Sequence, residues 1–216
     1  MRCMKLNVKI QNVSKWSIVL TIVVAVVFIF TAVQGSNKFK ETQAMTQQYI
    51  TCENAAKQLQ DASDYLTELL NRGSYERILD IYETGDSPFA LILIDVDTFK
   101  SVNDTYGHAM GDIILQKVAD LLKRTFRSID YVCRIGGDEF AIIMVEMTSD
   151  LKYTIEEKIE AVNETLSKEV DGVPAVSLSV GVAFSDRDNA EDDIFKDADK
   201  ALYYIKEHGR HGCKIF

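Results

Sequence analysis

The chain has 216 residues, 47% hydrophobic and 26% charged, which allows one globular domain of ordinary size plus an appendage. Its formal charge is −9 and its pI about 4.9, so it lacks the basic balance of a non-specific nucleic-acid binder, and no nucleic-acid partner is expected. An acidic balance still suits a nucleotide enzyme, in which carboxylates hold the cation that carries the phosphates.

Residues 1–15 carry Arg2, Lys5, Lys9 and Lys15 and no acid, a basic tail. Residues 16–33, WSIVLTIVVAVVFIFTAV, contain no charge and as a helix would rise about 27 Å, close to the thickness of a bilayer core. A cleaved signal peptide normally has a shorter apolar region, so an uncleaved transmembrane helix is expected, single-pass in the inner (cytoplasmic) membrane. Basic residues before the span outweigh Lys38 and Lys40 beyond it, which Glu41 offsets. That bias places residue 34 onward outside the cytoplasm, where a nucleotide-using domain would have no substrate.

Residues 34–63 are polar and free of proline, and read as a helical stalk. Met45, Tyr49, Cys52, Ala56 and Leu59 form a thin stripe suited to pairing with a second helix. A solvated linker fits the same composition. The four cysteines, Cys3, Cys52, Cys133 and Cys213, show neither a C-x-x-C pair nor zinc spacing, so free thiols are expected.

From Asp64 to Phe216 the composition is that of a compact domain. Tyr75 to Tyr82 has helical spacing, and Gly85 to Pro88 break the chain. Phe89 to Asp95 is a continuous apolar run, expected as a strand buried on both faces. Helices are expected over Thr98–Tyr106 and Ala109–Arg127, then a hairpin of Tyr131–Ile135 and Phe140–Val145. A helix over Asp150–Lys168, a strand over Val176–Phe184, a helix over Ala190–Glu207 and a short strand over Cys213–Phe216 complete the order. This order contains the split β-α-β arrangement of an α+β, ferredoxin-like sheet with its helices on one side.

Chemistry concentrates at two places. Asp95 and Asp97 end the buried strand on one face if it persists that far, and buried acids need solvent, a cap or a cation. Capping of the next helix is the structural alternative for Asp97. Gly136-Gly137-Asp138-Glu139 joins two apolar runs and reads as a tight turn in which glycine supplies positive φ. Together these acids make a hard-cation site the better reading.

Asp95-Val-Asp-Thr-Phe-Lys-Ser-Val-Asn-Asp104, Tyr106-Gly-His108, Gly111-Asp112, Gly136 to Phe140, Ala198-Asp-Lys-Ala-Leu-Tyr203 and Lys206-Glu-His-Gly-Arg210 stand in order. In these blocks the chain from about Asp64 to Phe216 resembles the GGDEF domain of diguanylate cyclases, whose fold is like the palm of nucleotide cyclases. The resemblance implies an enzyme that joins two GTP molecules into cyclic di-GMP with release of two pyrophosphates, each subunit of a homodimer holding one GTP. It implies Mg²⁺ or Mn²⁺ held by Asp95, Asp138 and the carbonyl of Val96. Glu139 is implied either to assist deprotonation of the 3′-hydroxyl or to serve a second metal. Phe99 and Lys100 at a helix start, Gly136, Gly137, Lys206 and Arg210 would contact the triphosphate, and Asn103 and Asp112 the guanine base. Arg127 and Asp130, an R-x-x-D, would bind the product as an inhibitor, with Lys158 a secondary contact; a surface ion pair is the plain alternative.

One departure stands out. Glu68 in Asp64-Tyr-Leu-Thr-Glu68-Leu occupies a place where the family pattern has glycine, and a positive φ there would cost of order 1 kcal/mol or more. Together with the charge bias and the lack of a second span, it is consistent with descent from a two-span receptor by internal deletion near residues 60–68. A catalytically silent module that binds GTP or cyclic di-GMP, or a truncated sensor cyclase, is the alternative to an active cyclase.

Overall fold

A computed structural model describes residue 47, residues 62–187 and residues 193–216. The expected basic tail (1–15), transmembrane helix (16–33) and nearly all of the stalk (34–63) lie outside the described residues. Among the described residues no helix is long and apolar enough to cross a membrane.

The elements run α1 (Arg72–Thr84), β1 (Phe89–Val96), α2 (Phe99–Tyr106), α3 (His108–Thr125), β2 (Tyr131–Arg134), β3 (Glu139–Val145), a 3₁₀ turn (Ser149–Leu151), α4 (Lys152–Leu166), β4 (Leu178–Phe184), α5 (Ile194–Glu207) and β5 (Gly212–Ile215). All belong to the unit Ala62–Phe216. Element order and type agree with the sequence reading, with ends moved by a residue or a few. The ends move where capping decides: Asn71 accepts from the Ser74 amide at the start of α1, and Asp193 accepts from the Lys196 amide at the start of α5.

One mixed sheet has the order β2-β3-β1-β4-β5, with β5 parallel to β4 and the other pairs antiparallel. The expectation of helices on one side is corrected. Ala90, Ile92 and Ile94 of β1 and Phe140, Ile142 and Met144 of β3 face Ile114, Leu115 and Val118 of α3 and Ile155 and Ile159 of α4. Phe89, Leu91 and Leu93, with Ala141 and Ile143, face Tyr75 and Leu79 of α1 and Ile194, Ala198 and Leu202 of α5. A strand that is apolar at successive positions has to be covered on both faces, and α1 and α5 supply the second cover.

Close packing fixes where α5 lies. A Cβ on Gly181 of β4 would stand 2.2 Å from the Ala198 carbonyl oxygen and 2.3 Å from the Leu202 nitrogen, so the helix backbone rests directly on the strand. That contact carries the C-terminal end of α5, and Lys206 with it, toward the end of β1.

Candidate active site

In the β1–β3 register Asp95 stands opposite Glu139, on the sheet face that α5 covers. Like charges directly opposite repel, and Asp95 has a cation of its own: Lys206 Nζ lies 2.6 Å from Asp95 Oδ2. Burial raises the Asp95 carboxyl above its ordinary value; the Lys206 contact opposes the rise, and the charges of Asp138 and Asp97 add to it.

The signature turn hangs from both strands. Ile135 and Gly136 N–H both donate to the Glu139 carbonyl, at 3.0 and 3.3 Å, and Val96 N–H donates to the Asp138 carbonyl at 3.1 Å. Asp138 is thereby tied to the end of β1. The reason expected for the glycines is corrected: neither Gly136 nor Gly137 has a positive φ. Four residues, Ile135 to Asp138, join the strands, so the two-residue turn that demands positive φ is not used. Gly136 matters through space. A Cβ there would stand 2.4 Å from Glu139 Oε2, so the Glu139 side chain folds over bare backbone. Gly137 faces open space, which leaves its main chain approachable.

Among the described residues no three His, Cys, Asp or Glu side chains converge closely enough to hold an ion unaided. Asp95 and Asp138, with the Val96 main chain, nonetheless fit the partial shell typical of Mg²⁺, which takes one or two carboxylates and completes its coordination with phosphate oxygens and water. The ammonium group held on Asp95 shows that this end of the sheet accepts positive charge.

Phe99 opens α2 after Thr98, a left-handed residue (φ 56°, ψ 21°) whose side chain caps nothing. The first amides of α2, at Phe99 and Lys100, therefore have no side-chain acceptor at a helix end that attracts anions. Farther along α2, Asn103 Oδ1 is buried with no hydrogen-bond partner. Asp112 is exposed in the first turns of α3. Lys206 and Arg210 stand at the end of α5, Lys206 in its last turn and Arg210 beyond Glu207 with φ 62°. The Arg210 guanidinium reaches to 4.0 Å from Asp97.

The family model described as "Diguanylate cyclase, GGDEF domain" matches residues 61–212. The chain belongs to the GGDEF diguanylate cyclase family. Relatives include Diguanylate cyclase DosC of Escherichia coli (strain K12), 37% identical over 159 residues, which are 71% of this chain and 35% of that protein. Diguanylate cyclase A of Treponema denticola is 36% identical over 140 residues, 63% of this chain and 38% of that protein. The chain thus spans little more than a third of the length of these relatives. Among solved structures, the coiled coil and GGDEF domain of DgcB from Caulobacter crescentus, in complex with c-di-GMP, superposes with a TM-score of 0.69 at 26% identity. That match covers 83% of this chain and 97% of the other.

Several polar residues of this GGDEF domain are built in more firmly than the sequence indicated. Arg127 and Asp130 are more than a surface pair: the Asp130 side chain is wholly buried, and Arg127 grips it through Nε and Nη2, at 2.6 Å for the closest contact. Nη2 also donates to the Val145 carbonyl at 2.5 Å. Lys158 donates to the Thr125 carbonyl at the end of α3 and lies over the Phe126 ring. Asp97 is neither helix cap nor ready cation ligand. It is 3% exposed and accepts from the hydroxyls of Ser177 and Ser179, each at 2.6 Å, and from the His211 amide at 3.1 Å. It ties β1, β4 and the turn after α5 together.

The sequence reading also passed over Arg134. Its Nη1 donates to both carboxylate oxygens of Asp64, at 3.0 and 3.2 Å, and its Nη2 to the Gly137 carbonyl at 2.8 Å. An arginine two residues before the glycine pair was the available signal, since a half-buried strand residue of that kind needs acceptors.

Proposed function

We propose that this chain is a diguanylate cyclase that condenses two GTP into cyclic di-GMP and two pyrophosphates across a homodimer, with Mg²⁺ or Mn²⁺ as cofactor. The observation that carries the reading is the meeting of the two acidic motifs at one sheet end, with Asp95 opposite Glu139 and Asp138 tied to Val96.

The chain's own residues fit distinct parts of the reaction. Lys206 and the open amides of Phe99 and Lys100 bind phosphate oxygens; Gly137 gives the triphosphate access to the main chain, Gly136 makes room for the Glu139 side chain, and Arg210 adds charge at the same end. Asn103 and Asp112 read guanine, Asp112 accepting from N1–H and N2–H, donors that adenine lacks there. Asp95, Asp138 and the Val96 carbonyl would hold the cation. When bound, it draws charge from the phosphate oxygens and lowers the pKa of the attacking hydroxyl. Glu139 takes the 3′-hydroxyl proton as the 3′-oxygen forms its bond to the partner nucleotide's α-phosphorus and pyrophosphate leaves. Binding of cyclic di-GMP in related GGDEF structures supports product inhibition through Arg127, whose planar fork suits guanine or phosphate.

The apolar run 16–33 supports a single-pass membrane anchor, and use of GTP requires residues 64–216 on the cytoplasmic side. A C-terminal reporter active only outside the cytoplasm would overturn that placement.

The purified chain incubated with GTP and Mg²⁺ should yield cyclic di-GMP, which chelation of the metal and Glu139→Gln should both abolish. Absence of product from the unaltered chain, with GTP binding intact, would leave a silent binding module instead.

A further inference from the structure

Gly111 lies inside α3, where glycine is disfavoured and alanine is the best helix former. Its φ is not positive, so the backbone makes no demand for glycine. Space does. A Cβ at Gly111 would stand 2.1 Å from Asn103 Oδ1 and 3.1 Å from both Asn103 Cγ and Phe99 Cζ. The Asn103 amide is therefore pressed onto bare helix backbone, with the Phe99 ring beside it. The oxygen pressed there is the buried Oδ1 that has no donor in the protein. A buried acceptor left unpaired is unfavourable, and its partner has to come from outside the chain.

We infer that Gly111 is a specificity-determining position: its missing side chain seats Asn103 so that Oδ1 accepts a hydrogen bond from the 2-amino group of guanine. The inference rests on the proposed guanine-nucleotide reading and adds to it a group-level basis for selectivity. Guanine carries the 2-amino group, whereas hypoxanthine and adenine lack it. Gly111 contributes no hydrogen bond itself, and acts as a positioning residue through Asn103.

The test is titration calorimetry of the full-length chain, in Mg²⁺, with GDP and IDP. Nucleoside diphosphates have no pyrophosphate to release, and so bind without turnover. The unaltered chain should prefer GDP to IDP by about tenfold, the worth of one good hydrogen bond. Gly111→Ala should lose most of that preference by weakening GDP while leaving IDP nearly unchanged. In an Asn103→Ala background the preference should already have fallen to the part that Asp112 supports, and adding Gly111→Ala should change nothing further. A Gly111→Ala variant that keeps the GDP/IDP ratio, or weakens both ligands equally, overturns the inference. So does an effect that persists on Asn103→Ala. Should Gly111→Ala fail to fold, the double variant, which removes the obstructing amide, must restore folding, and its failure to do so counts against the idea equally. Binding of neither diphosphate by the unaltered chain overturns the guanine-nucleotide reading itself, a result distinct from any of these.

Discussion

Lys206 Nζ rests 2.6 Å from Asp95 Oδ2, a single cation set against an acid that burial and two neighbouring carboxylates disfavour. The net effect, with Lys206 included, raises the Asp95 carboxyl above its ordinary value. Folding therefore favours the protonated form, so the penalty of the charged form is absent at low pH and grows as pH rises through the raised value. Asp95→Asn should melt at a higher temperature than the unaltered chain at pH 7 without nucleotide. The difference should shrink toward zero below about pH 4, the unfolded carboxylate range. Thermal melts between pH 4 and 8 check this; an equal or lower melting temperature at pH 7 contradicts it.

Arg134 joins Asp64, at the start of the domain, to the Gly137 carbonyl in the signature turn. Burial pushes the Asp64 carboxyl up, but hydrogen bonds from Thr67 and Arg134 outweigh it and the net shift is downward. Stability from this carboxylate is present above its unfolded value and lost as pH falls through the folded one. Arg134→Met should cost about 1.5–3 kcal/mol at pH 7, the range for hydrogen bonds to charged groups, and less at pH 4. Urea midpoints at the two pH values are the measurement. Turnover should fall as well, because the turn that carries Asp138 loses its anchor.

Glu68 adopts φ 57°, a left-handed conformation that the glycine of the family pattern would take without strain. An L-residue there costs roughly 1–2 kcal/mol, part of which glycine returns through the freer unfolded chain. Glu68→Gly should thus stabilise the protein by about 1 kcal/mol, or about 2–4 °C in melting temperature for a unit of this size. Activity should not change. A destabilised variant would show that the Glu68 side chain earns its place by contacts.

The Tyr75 ring is 4% exposed and its hydroxyl has no partner in the protein. Burial raises its phenol well above the ordinary value. Removing an unpaired buried hydroxyl relieves about 1–3 kcal/mol of desolvation. Tyr75→Phe should accordingly unfold at a higher denaturant concentration, with an unchanged slope. A loss of stability would mean that the hydroxyl is paired through water in the cavity of about 110 Å³ that Tyr75 shares with Glu139.

The order of strands and helices was legible in the sequence because period and punctuation are local. The unbroken run Phe89–Ile94 is short and bounded by turn residues, which favours a buried strand over a helix, and Gly85 to Pro88 mark the end of the helix before it. The acidic motifs at Asp95 and Asp138-Glu139 were legible for the same reason, since each is contiguous. What the tertiary structure decided depends on residues far apart in the chain: α1 and α5 covering the second sheet face, Asp97 satisfied by Ser177, Ser179 and His211, Arg134 bridging Asp64 and Gly137, and Lys206 seated on Asp95. Gly136 and Gly111 show the limit most clearly. Their glycines serve the close approach of Glu139 and Asn103, a matter of distance across space rather than of backbone angle, and spacing along a chain does not encode it.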